Sequence, residues 1–188
     1  MEARFTLIDI GEAGTALANS TTATSLMSTG RTPTLPSNYF DKIGKRVVLE
    51  AWGRMSNIVT TPGTLTLDVR LGTSSPIVVW NGGAISLNTT AKTNVPWRLR
   101  VDMQATAIGA STTATLIGLG DFQSESVIGS PATTAGGNGK LLLPVGNPAN
   151  GNGFSSEDAL QLRLYATWSI ANAGNSIQLV GGHVAVWL

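Results

Sequence analysis

His183 is the single histidine of the chain, and no cysteine accompanies it. A Ser-His-Asp triad or a Cys-His pair needs a histidine beside its nucleophile, and zinc sites draw on clusters of His and Cys. His183 alternates with Ala185 and Trp187 against Val184, Val186 and Leu188, so it reads as an edge or interface residue of a strand. Paired carboxylates could hydrolyse a glycosidic bond without any histidine, one as acid and the other as nucleophile or base. Glu50, Asp68, Asp102, Asp121 and Glu125 are the candidates. Three of them fall on the polar phase of alternating stretches beside Arg54, Arg70 and Arg98 or Arg100, where cross-strand ion pairing is the simpler explanation. Glu157 and Asp158 offer oxygen ligands for calcium, but no Asp-rich loop surrounds them. Gly118-Leu119-Gly120 and Gly136-Gly137 lack the following helix that turns a glycine loop into a phosphate cradle, and they read as bulges and turns. No catalytic residue, cofactor or metal is therefore expected.

The five tryptophans are the remaining residues with recognition chemistry, because an aromatic face packs on the apolar C–H surface of a sugar. Trp97 and Trp168 fall in phase with the leucines of their stretches and read as core. Trp52 and Trp187 fall out of phase with their aliphatic neighbours and are the better candidates for a subunit interface or a ligand face. With His183 they form a candidate interface set, joined by Asn138 and Asn150 from two Gly- and Asn-rich loops.

The elements that must carry these residues are strands. Leu65, Leu67, Val69 and Leu71 alternate with Thr64, Thr66, Asp68 and Arg70, the period of a strand with one buried face. Trp97, Leu99, Val101 and Met103 do the same against Arg98, Arg100 and Asp102, as do Leu160, Leu162, Leu164, Ala166 and Trp168 against Gln161, Arg163, Tyr165 and Thr167. Further strands are expected over residues 5–10, 22–28, 45–56, 76–80, 84–88, 113–122, 139–143, 176–180 and 183–188. Gly, Asn, Pro and Ser turns separate them, and no stretch of helical period intervenes, which excludes βαβ units. The expected fold is a single-domain, all-β antiparallel sandwich, and the strand count points to a jelly roll; the alternative is an immunoglobulin-type sandwich, whose cysteine pair is absent here as it is from many such sandwiches. An extended arm is expected over about residues 1–38, rich in Ser, Thr and Gly, and long loops within 123–158 are candidate contact surfaces.

At 188 residues the chain is long enough to bury a core without disulfide staples. Only 12% of its residues are charged, with 12 basic against 11 acidic for a net charge of +1. Lys42, Lys45 and Arg46 form the only basic cluster, with Asp41 and Glu50 nearby, too little for a phosphate-backbone stripe, so a nucleic-acid partner is not expected. A surface of Ser, Thr, Asn, Gln and Gly gives little repulsion between neighbouring copies and suits dense assembly. No run of 18 apolar residues is present, so no membrane-spanning helix is expected. The opening residues lack a basic segment followed by an apolar stretch, so the glycosylation patterns at Asn19 and Asn88 are expected to be turn chemistry.

The order of segments resembles the small jelly-roll structural proteins of tailed phages. The likeness runs through Thr34-Leu35-Pro36-Ser37-Asn38-Tyr39-Phe40 into Gly44-Lys45-Arg46-Val47, then residues 61–72 and Val95-Pro96-Trp97-Arg98-Leu99. It ends on Ala166-Thr167-Trp168-Ser169 and Asn175-Ser176-Ile177-Gln178-Leu179. It implies a virion component made in the host cytoplasm and carried on the capsid surface. Such a decoration or cement protein, often a homotrimer, would bridge copies of the major capsid protein. The alternative it leaves open is a receptor-binding, carbohydrate-binding domain of a head or tail fibre.

Overall fold

The computed structural model describes residues 4–10, 13–128 and 139–187. Twelve strands lie among them: β1 (Arg4–Ile10), β2 (Leu17–Ala18), β3 (Thr24–Ser25), β4 (Thr34–Leu35), β5 (Arg46–Asn57), β6 (Thr64–Leu71), β7 (Ile77–Ser86), β8 (Lys92–Ala107), β9 (Thr115–Ser124), β10 (Lys140–Leu143), β11 (Leu160–Trp168) and β12 (Ser176–Trp187). One turn of 3₁₀ helix, Thr29–Arg31, is the helical content of the described residues.

The strands form two antiparallel sheets. Seven make one, in the order β1-β12-β5-β8-β9-β10 with β2 beside β12; five make the other, in the order β3-β11-β6-β7 with β4 beside β11. Among β1, β3, β5, β6, β7, β8, β11 and β12, taken in chain order, the first pairs with the last, the second with the seventh, the third with the sixth and the fourth with the fifth. Successive pairs alternate between the sheets. An antiparallel ribbon wrapped in this way is a jelly roll, and the expected fold class stands.

The core follows from the alternation. Leu162, Leu164, Ala166 and Trp168 of β11 face Leu71, Val69, Leu67 and Leu65 of β6 in register, and all eight side chains are buried. Each leucine so buried contributes roughly 1.5–3 kcal/mol relative to exposure. Trp97 and Trp168 are core residues as expected, and each ring N–H is satisfied: Trp97 Nε1 donates to the carbonyls of Arg54 and Gln178, and Trp168 Nε1 to that of Leu17.

Two expected strand breaks are bulges instead. Residues 76–80 and 84–88 belong largely to one strand, β7, whose register against β6 slips between Thr66 and Asp68. Residues 176–180 and 183–188 likewise join in β12, which slips against β5 between Leu179 and Gly181. A bulge inserts one unpaired residue and interrupts the period of two without ending the strand, so in sequence it looks like a turn. The strand expected over 22–28 shrinks to Thr24–Ser25.

Of the segment read as an arm, residues 13–38 lie against the chain's own sheets: β2 pairs with β12, β3 and β4 pair with β11, and Leu17, Leu26, Met27 and Leu35 enter the core. The loop after β10 is also tied down. The Gly151 N–H donates to the Leu116 carbonyl of the larger sheet, and the Asn152 N–H to the Val78 carbonyl of the smaller one. Phe154 and Ala114 exchange backbone bonds, and both are buried.

Candidate binding groove

The inward phase of β5 is set by Val47, Leu49 and Ala51, which are fully buried. Trp52 therefore points outward, on the solvent face of the seven-stranded sheet, and is 46% exposed. Its register partners are Gly181 on β12 and Arg98 on β8. The indole lies against Gly181: a Cβ there would come within 2.7 Å of the ring's Cζ2 and 2.9 Å of its Nε1. The bare backbone of Gly181 is what allows the ring to lie down on the sheet.

Beside Trp52 an open groove of about 640 Å³ runs across β8 and β9 to the start of β10. Its polar lining includes Asn88, Lys92, Arg98, Gln123, Glu125 and Lys140. The turn that carries Asn88 and Lys92 is pinned from within. Asn57 Nδ2 donates to the carbonyls of Asn88 (2.7 Å) and Thr90 (3.1 Å), and Asn88 Oδ1 accepts from the Thr90 N–H. Asn175 fixes the neighbouring segment, accepting from the Ile58 N–H and donating to the Pro62 carbonyl. Asn57 and Asn175 are both buried, so they are internal staples that hold one wall of the groove.

Four of the five candidate carboxylates are engaged by cations, and the fifth, Asp121, accepts a hydrogen bond from Gln123 Nε2 at 3.2 Å. Glu50 lies 3.0 Å from Arg100, 3.6 Å from Arg98 and 3.8 Å from His183. Asp102 is held by Arg46, Glu125 lies 3.4 Å from Lys92, and Asp68 is closed over by Arg70, whose guanidinium also sits 4.2 Å from the Tyr165 ring centre. The hydrogen bond to the Asp68 carboxylate raises the Arg70 pKa above its ordinary value against the opposing effect of burial. Two details differ from the expected cross-strand pattern. Arg54 bonds Gln178 rather than a carboxylate, and the Asp68–Arg70 pair lies within one strand. Among the described residues no cluster of three or more His, Asp or Glu could hold a metal ion.

The candidate interface residues are not gathered in one place. Trp52 and His183 share the outer face, since Glu50, two positions from Trp52, is the register partner of His183. Asn150 is elsewhere: it accepts a hydrogen bond from Thr106 Oγ1, eight residues along β8 from Arg98, or about 26 Å at strand rise. Trp187 is placed by its backbone, opposite Arg4 at the last position of β12. Asn138 lies outside the described residues. Sequence alone does not single out Lys92, Arg98, Gln123 and Lys140 as site residues, because only the pairing of the strands brings them to Trp52.

No protein-family model matches the chain, and no curated protein matches it. Among solved structures it is similar to the CBM2 module of the evolved Dit of Lactobacillus casei BL23 phage J-1, at 11% identity and a TM-score of 0.36 over 99% of this chain and 97% of that one. It is also similar to the kappa-carrageenase of Pseudoalteromonas carrageenovora, in complex with an oligotetrasaccharide of kappa-carrageenan, at 10% identity and a TM-score of 0.27 over 84% of this chain and 68% of that one. Both superpositions are loose, and the fold assignment rests on the strand order.

Proposed function

We propose that this chain is a non-enzymatic binding module of a tailed-phage virion and that it holds a glycan in the Trp52 groove. The observation that carries the glycan reading is the indole itself, 46% exposed and laid against Gly181 at the side of an open groove with a polar lining. An apolar platform flanked by a few directed polar groups is what a sugar ring needs, with C–H surface on one face and hydroxyls around its rim. The engagement of Glu50 by Arg98, Arg100 and His183 supports binding without hydrolysis. The virion setting rests on the segment order seen in the sequence. A glycan microarray probed with the wild-type chain and Trp52→Ala tests the reading: reproducible sugar binding by the first, lost in the second, is expected. Sugar binding that Trp52→Ala leaves unchanged contradicts it.

A second reading, capsid decoration through the major capsid protein, is favoured by a different feature. Leu119 of β9 and Leu142 of β10 stand 55% and 71% exposed at one side of the larger sheet. An apolar pair at a sheet edge suits burial against another protein chain.

A further inference from the structure

We infer, resting on the glycan reading of the Trp52 groove, that its ligand is an anionic saccharide, a sugar bearing a carboxylate, sulfate or phosphate group. The placement of Arg98 carries the inference. It lines the groove with Lys92 and Glu125, and its own carboxylate partner, Glu50, is shared with Arg100. Farther along the same face cations and anions alternate, with Arg46, Arg100, Asp102 and Asp121 on adjacent strands.

Neither Arg98 nor Lys92 is strongly committed. Arg98 is 61% exposed and meets Glu50 at 3.6 Å, while Arg100 approaches the same carboxylate at 3.0 Å. Lys92 pairs at 3.4 Å with Glu125, which is largely in solvent, and an exposed pair of this kind costs little to exchange for a ligand anion. Arg98 is the register partner of Trp52, so a sugar stacked on the indole would bring its exocyclic anionic group within reach of the guanidinium. The planar fork of arginine accepts a carboxylate, sulfate or phosphate through two parallel hydrogen bonds, which a neutral hydroxymethyl group cannot match. Arg98 then selects charge, Trp52 supplies the platform, and Lys92 adds a second cation to the groove.

The test is a titration of matched oligosaccharides of one backbone in neutral, uronate, sulfated and phosphorylated forms, after an array carrying neutral and acidic glycans. Anionic forms should bind at least about tenfold more tightly than the neutral form, the ratio expected for one charge-assisted hydrogen bond. Raising the salt concentration should weaken that preference. Arg98→Gln should remove most of the preference and Lys92→Gln a part of it, each weakening the anionic forms more than the neutral one, and the uronate, sulfate and phosphate arms identify the anionic group. Equal affinity for neutral and anionic forms, with Trp52→Ala still abolishing both, overturns the charge inference and leaves the glycan reading standing. Competition by polyglutamate as effective as by the acidic sugar overturns it as well, since charge alone would then suffice. Silence across the whole array removes the glycan reading together with this one.

Discussion

An indole left 46% exposed on a sheet face forgoes on the order of 1 kcal/mol of the transfer free energy that full burial would supply. The groove shows how the residue is held in that position: Gly181 leaves no Cβ where the ring lies. Gly181→Ala should therefore push the indole off the sheet, lowering stability by about 1–2 kcal/mol through overpacking and weakening glycan binding by about tenfold. Denaturant unfolding and a binding titration read the two effects separately. Glu50→Gln should cost about 1–3 kcal/mol in urea unfolding, because it takes the charge from a mostly buried carboxylate set among Arg98, Arg100 and His183; a change below about 0.5 kcal/mol would mean that solvent screens the cluster. At this scale the sequence was half legible. Trp52 could be singled out because it breaks phase with Val47, Leu49 and Ala51. That Arg98 and Gly181 stand on either side of it is a fact of register, which depends on which strands pair and, for Gly181, on where the bulge in β12 falls.

Strands of clean alternation, β6 and β11, have the bounds that the period of two predicts, Thr64–Leu71 and Leu160–Trp168. The strands that sequence divides in two are those with bulges, β7 and β12, where an unpaired residue breaks the period although the pairing continues. The loop after β10 is a different case. Its Gly- and Asn-rich composition signals a free excursion, yet it bonds to both sheets through Gly151 and Asn152. Close approach of two backbones needs a residue without a side chain, and a Cβ at Gly151 would fall 2.0 Å from the Val79 carbonyl oxygen. Gly151→Ala should destabilise by about 3 kcal/mol, seen as a lower urea midpoint with an unchanged m-value. Glycine at that position serves packing, and composition alone cannot separate this use from flexibility. Deleting residues 181–188 should abolish soluble folding, because β12 lies between β1 and β5; a soluble truncation that unfolds cooperatively would contradict that placement.

For the whole molecule, the jelly roll follows from strand number and alternation, whereas the route of residues 13–38 along β11 and β12 does not. Short strands of two residues carry no period to read. The sparse charge of the chain, 12%, fits close packing in an assembly, and copy number separates the sites at which that assembly could occur. Quantitative mass spectrometry of purified particles should give a few copies per virion for a fibre-borne glycan binder. A number of the same order as the major capsid protein would favour decoration of the shell through the Leu119 and Leu142 edge. Binding at many equivalent positions would add through multivalency in either setting.

The central claim is that the chain recognises a sugar through Trp52, and its most direct measurement is the affinity of the wild-type chain and of Trp52→Ala for the best array ligand, by titration calorimetry. The account predicts saturable binding by the wild type and a loss of at least about tenfold in a variant that still unfolds cooperatively. A Trp52→Ala variant that binds the same sugar with unchanged affinity would contradict it.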